Sequence, residues 1–103
     1  MQLALRTDRK EIRDLAKALS SDLRIEILIR LSMRETTVRS LHEQIGRVKY
    51  RDTIYRQVEA LRKARIVKKY YDQEAKELKY ALADDRIIIL LSEYAANLSR
   101  QKL

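Results

Sequence analysis

Between residues 46 and 83 the chain carries eleven lysines and arginines against five acidic side chains. Guanidinium and ammonium groups at that density neutralise phosphates well, and arginine can also read a guanine edge through paired hydrogen bonds. The segment's excess of +6 is most of the formal net charge of +8 carried by all 103 residues. A merely solubilising charge has no reason to gather in one part of a chain, so this segment is expected to meet a polyanion, double-stranded DNA. Two groups of side chains are the candidates. The first is Lys49, Arg51, Thr53, Tyr55 and Arg56, in which arginine suits guanine, threonine suits a thymine methyl and lysine suits phosphate. Asp52, among them, suits a helix cap better than a cytosine contact. The second is Lys68, Lys69, Lys76 and Lys79, spaced to reach backbone phosphates or a minor groove. Tyr70, Tyr71 and Tyr80 alternate with these lysines and read mainly as strand packing.

Other chemistries lack their residues. There is no cysteine, one glycine and one histidine, which excludes disulfides, thiolate metal sites, cysteine nucleophiles and a glycine-rich phosphate loop. His42 lacks the partners that a metal or catalytic role requires, and reads as a surface or packing residue. Asp84 and Asp85 suit a helix N-terminus, not acid and base catalysis. The expectation is a protein with no cofactor and no metal, and not an enzyme. The longest apolar run, residues 87–91, is too short to span a bilayer, and a cytoplasmic, nucleoid-associated protein is expected. The absence of proline and cysteine, with abundant charge, fits a prokaryotic, thermophilic archaeal source.

The elements that must position the basic residues follow from apolar spacing and caps. Thr7 or Asp8 can open a first helix, with Ile12, Leu15, Ala16 and Leu19 at helical spacing, that ends at Ser20. Ser20, Ser21 or Asp22 can cap a second, where Ile25, Leu28 and Ile29 mark one face and Ile27 and Leu31 widen it, as in a central helix. Thr37 caps a short third helix with Val38, Leu41 and Ile45 inward, and Gly46 stops it in a left-handed turn. A fourth spans about 50–64, with Ile54, Val58 and Leu61 inward and Arg51, Asp52, Tyr55, Arg56, Gln57 and Arg62 outside. A short helix, a turn and a longer helix with a basic outer face make a helix-turn-helix. "IVKKYY" and "LKYALA", parted by "DQEAKE", predict a β-hairpin wing over about 66–83. A last helix over about 85–100 holds Ile87, Ile88, Leu91, Tyr94 and Leu98. So broad an apolar face exceeds what one small body can cover, which predicts a homodimer through these residues.

The runs "ALSSDLRIEILIRLSMRETTVRSLHEQIG", "DTIYRQVEALRKARIVKKYY" and "LKYALA" resemble the ArsR/SmtB-type winged helix-turn-helix repressors over about residues 15–98. The most specific part is "ALSSDLRIEIL". The resemblance implies a mainly α fold with a small β-hairpin wing, dimer formation, DNA binding, and a recognition helix that turns Lys49, Arg51, Thr53, Tyr55 and Arg56 to the major groove. The chain departs from the pattern in three places. Ser21 and Asp22 stand where the family has a proline, Arg65 stands where it has a glycine, and about two extra residues lie between Gly46 and Asp52. The family's metal ligands, cysteines on the second helix or His and carboxylates on the last, have no counterparts here, so metal sensing is not carried over.

The sequence therefore predicts one domain over 1–103, with a helix-turn-helix over about 37–64. Its expected function is that of a dimeric, sequence-selective transcriptional regulator. An architectural or partition-type protein that coats DNA with little selectivity is the alternative, and a winged helix used for protein contact is a third.

Overall fold

A computed structural model describes residues 13, 16, 17, 20–83, 86, 87, 89, 92, 93 and 96. Three helices and a hairpin follow in chain order: α1 (Asp22–Met33), α2 (Val38–Ile45), α3 (Arg51–Lys63), β1 (Val67–Asp72) and β2 (Glu77–Leu82).

The caps explain where the helices begin. Of the three candidates for α1, Ser21 is the cap, its hydroxyl accepting from the Arg24 N–H at 3.4 Å. Thr37 caps α2, accepting from the Ser40 N–H at 3.0 Å. At its end Gly46 takes φ 58° and donates its N–H to the His42 carbonyl at 3.1 Å. Asp52 does not cap α3, contrary to expectation. The cap position is Tyr50, without a side-chain bond, and Asp52 lies in the first turn, where its charge suits the helix N-terminus.

The core joins Ile27, Leu28 and Leu31 of α1, Leu41 and Ile45 of α2, Ile54, Val58 and Leu61 of α3, and Ile66, Val67, Tyr80 and Ile87. Helix α1 packs against α2, α3 and β2, as expected of a central helix. The buried stripe differs from the predicted one in one respect. Ile29 is 41% exposed, because Ile27, Leu28 and Leu31 complete the inward face at i, i+1 and i+4 and leave the following position outside.

The strands pair antiparallel in the register Val67 with Leu82 through Asp72 with Glu77. Asp72 and Glu77, expected in the loop, form the last pair of the ladder, so the turn is only 73–76. Asp72 closes it: one carboxylate oxygen accepts from the Glu74 and Ala75 N–H groups at 3.0 and 3.1 Å, an Asx-type turn. Thr36 adds a single antiparallel bridge to Tyr80 on the other side of β2.

Residues 13, 16 and 17 are helical, with Ala16 exposed and not inward as its spacing suggested. Residues 86, 87, 89, 92, 93 and 96 are helical too. Ile88, Leu91, Tyr94 and Leu98, the rest of the expected dimer face, lie outside the described residues, as do Ile12, Leu15 and Leu19. Ile87 is buried at 7% exposure within the domain's own core. No described helix is long and apolar enough to cross a membrane.

Candidate nucleic-acid interface

The turn between α2 and α3 decides how the recognition candidates are presented. His42 Nε2 lies 2.8 Å from the Val48 carbonyl. A carbonyl only accepts, so the ring carries its proton on Nε2 and donates it. With Val48 packed against the core, this bond gathers the long turn and brings Lys49 and Tyr50 to the head of α3. Arg47 is drawn the other way, its guanidinium meeting both carboxylate oxygens of Glu26 at 2.7 and 3.1 Å.

Ile54, Val58 and Leu61 anchor α3 inward, which leaves Arg51, Tyr55 and Arg56 exposed and Thr53 half-buried. Lys49 is exposed in the turn, with its ammonium 5.2 Å from the centre of the Tyr50 ring. Arg56 pairs with Asp52 at 2.9 Å, both of them largely exposed, so the pair is weak and opens readily. Arg51 has no carboxylate partner among the described residues. Gln57, expected on the outer face, is half-buried instead and accepts from Arg24 Nε at 2.6 Å.

The four wing lysines divide. Lys68 and Lys76 are exposed and have no ion-pair partner among the described residues. Lys79 is held by Asp72 at 2.7 Å. That pairing raises the lysine and lowers the aspartate from their ordinary pKa values. Lys69 lies 3.5 Å from a Glu59 oxygen and 5.6 Å from the centre of the Tyr80 ring. Of the tyrosines, Tyr80 is buried, Tyr70 half-buried and Tyr71 exposed.

Glu59 was not singled out by sequence reasoning, and it sits at the seam between α3 and the hairpin. One oxygen accepts from Arg62 Nε and Nη2 at 3.0 and 2.8 Å. The other accepts the Tyr80 hydroxyl at 2.7 Å. The Arg62 hydrogen bonds, with smaller help from Tyr80 and Lys69, outweigh the desolvation that raises the Glu59 carboxyl and together bring it down to about 2. Burial pushes the Tyr80 phenol above its usual range, and its bond to Glu59 adds to the rise. The i, i+3 spacing of Glu59 and Arg62 was visible in the sequence, but nothing in it pointed to Tyr80.

Two residues besides glycine have a positive φ among those described: Arg65 at 63° and Lys76 at 56°. Arg65 follows the end of α3. Its N–H donates to Arg62 O at 2.9 Å, and the Ile66 N–H reaches back to Leu61 O at 3.0 Å. This bonding pattern ordinarily selects glycine, the residue that the family resemblance places here.

The backbone arrangement of three helices and a hairpin is shared with known structures. Rv0081 of Mycobacterium tuberculosis superposes with a TM-score of 0.76 at 25% identity, covering 91% of this chain and 93% of that one. The transcriptional repressor BigR of Xylella fastidiosa gives 0.71 at 25% identity, covering 90% and 91%. The homodimeric winged helix-turn-helix DNA-binding domain Mb0332 of Mycobacterium bovis, a possible ArsR-family regulator, gives 0.75 at 20% identity, covering 91% and 88%. The fold is the winged helix-turn-helix of the ArsR-type regulators. No family model and no curated protein matches the chain by sequence. In winged-helix terms α3 is the recognition helix and β1–β2 the wing. Among the described residues no group of three or more His, Cys, Asp or Glu side chains comes together, and the chemistry on offer is that of exposed cations.

Proposed function

We propose that the protein is a homodimeric, sequence-selective DNA-binding transcriptional regulator and not a catalyst. The observation that carries this reading is the exposed cation at the head of α3, Arg51, which meets no carboxylate among the described residues, next to Lys49 and the loosely held Arg56. Arginine at the N-terminal end of such a helix enters a major groove and meets guanine O6 and N7. Lys68 and Lys76 add phosphate contacts from the wing, with Lys69 and Lys79 behind them. The net charge of +8 and the regulators that share the fold support the same reading.

A dimer places two recognition helices about one helical turn of DNA apart. It would form through the last helix at Ile88, Leu91, Tyr94 and Leu98; Ile87, expected at the same face, is instead buried in the domain's own core. Sedimentation at micromolar concentration should give about twice the 12.3 kDa chain mass, and a monomer would remove the dimer from the proposal.

Selectivity is tested by titrating the protein, at one salt concentration, against random DNA and against DNA enriched by repeated selection. A regulator should prefer its site by about 1000-fold or more. Equal affinity for both would make the protein an architectural or partition-type DNA coat, a reading favoured by the exposed Lys68 and Lys76 of the wing.

A further inference from the structure

We infer that Glu59 and Tyr80 are positioning residues that hold the wing at a set angle to the recognition helix, so that both basic surfaces meet one stretch of DNA. This rests on the DNA-binding reading above.

A two-stranded hairpin has little stability of its own, so its pose depends on what it is fastened to. The wing's root is buried through Val67, Tyr80 and Ala81. Apolar burial sets its depth, but it is non-directional and tolerates a tilt. The Thr36 bridge pins the backbone of Tyr80 through N–H and carbonyl bonds of 2.8 and 3.1 Å. One bridge acts as an axle. The Tyr80 hydroxyl on Glu59, at 2.7 Å, is a second attachment away from that axle, and two attachments fix an angle where one allows a swing.

The leverage is considerable. Lys76 stands four residues beyond Tyr80, about 13 Å along a strand. A tilt of about 15° therefore carries the tip about 3 Å, a full hydrogen-bond length. Beyond Tyr80 one further tie holds the hairpin, the bond of half-buried Tyr70 to Glu35, while Tyr71 and Leu78, paired across the strands nearer the tip, are 55% and 51% exposed.

Charge supports the assignment. A carboxylate in a surface that binds phosphate repels its ligand unless it is neutralised. Glu59 is neutralised by Arg62 and Lys69 and spends its second oxygen on the wing.

The test uses the full chain with Tyr80→Phe and Glu59→Gln, each alone and combined with Lys76→Ala. In the otherwise wild-type protein Lys76→Ala should weaken DNA binding roughly fivefold through a lost phosphate contact. In the Tyr80→Phe background the same change should cost less than about twofold, because the tip is already misplaced. A residue that contributes only stability would lower the melting temperature and leave the Lys76 effect intact, which overturns the inference.

An independent measurement needs no DNA. The chain has no cysteine, so spin labels at Glu43→Cys and Ala75→Cys report the distance from α2 to the wing tip. That distribution should be narrow in the otherwise unmodified chain and broad with Tyr80→Phe. An unchanged distribution also overturns the inference. If the distribution broadens but the parent protein fails to bind DNA, the DNA-binding reading falls and the wing assignment with it.

Discussion

The head of α3 and the seam at its other end are built from the same residue types and use them in opposite ways. At the head, Arg51 and Arg56 are exposed, and the ion pair of Arg56 with Asp52 is open to water. At the seam, Arg62 and Lys69 converge on Glu59, whose side chain is 12% exposed, and Tyr80 closes the group from the hairpin. One region presents its charge and the other spends it on joining two elements. A count of lysines and arginines overstates the charge a surface offers, since pairing with a sheltered carboxylate withdraws some of the cations.

Acid should separate the regions most strongly. Glu59 ionises in the folded protein at about 2 against an ordinary 4.5. Its stabilising contribution is therefore complete above about pH 5 and lost as the pH falls towards 2, an effect of at most about 3 kcal/mol. Urea midpoints followed by circular dichroism at pH 7 and pH 3 should drop further for the parent protein than for Glu59→Gln. Equal drops would mean that the seam is not held together by that charge.

The head should dominate selectivity. Replacing Arg51 by alanine should cost about 2 kcal/mol on the preferred DNA and much less on random DNA. An equal loss on both would reduce Arg51 to a phosphate contact.

The wing sharpens the comparison within a single element. Lys68→Ala and Lys76→Ala should each make the salt dependence of DNA binding shallower by about one unit. Lys79→Ala, which removes a lysine held by Asp72, should change the slope by less than half of that. Three equal changes would show that intramolecular pairing does not withhold charge from DNA.

The smallest effect concerns the root of the wing. Arg65→Gly relieves a left-handed residue and should raise stability by about 1 kcal/mol, read as a higher melting temperature. Unchanged or reduced stability would show that the arginine compensates for its backbone.

Much of the fold was legible in the residues. Thr37 and Gly46 bracketed α2, Ile54, Val58 and Leu61 faced α3 inward, and the two β-rich runs became the hairpin. Each is a local signal, a cap or a period expressed within one turn or one strand. The errors came where local options were balanced. Asp52 had two uses within its own helix, and it took the ion pair with Arg56 instead of the cap.

The chain by itself determined the order of the elements, their inward faces and the location of the surplus charge, because periodicity and composition are carried by neighbouring residues. Tertiary packing alone decided which distant groups met. Tyr80 meets Glu59 across 21 positions, Arg47 meets Glu26 across 21 and Arg24 meets Gln57 across 33. Contacts of that separation depend on the angles at which helices and hairpin pack, and those angles follow from the whole core at once and not from any run of residues within it.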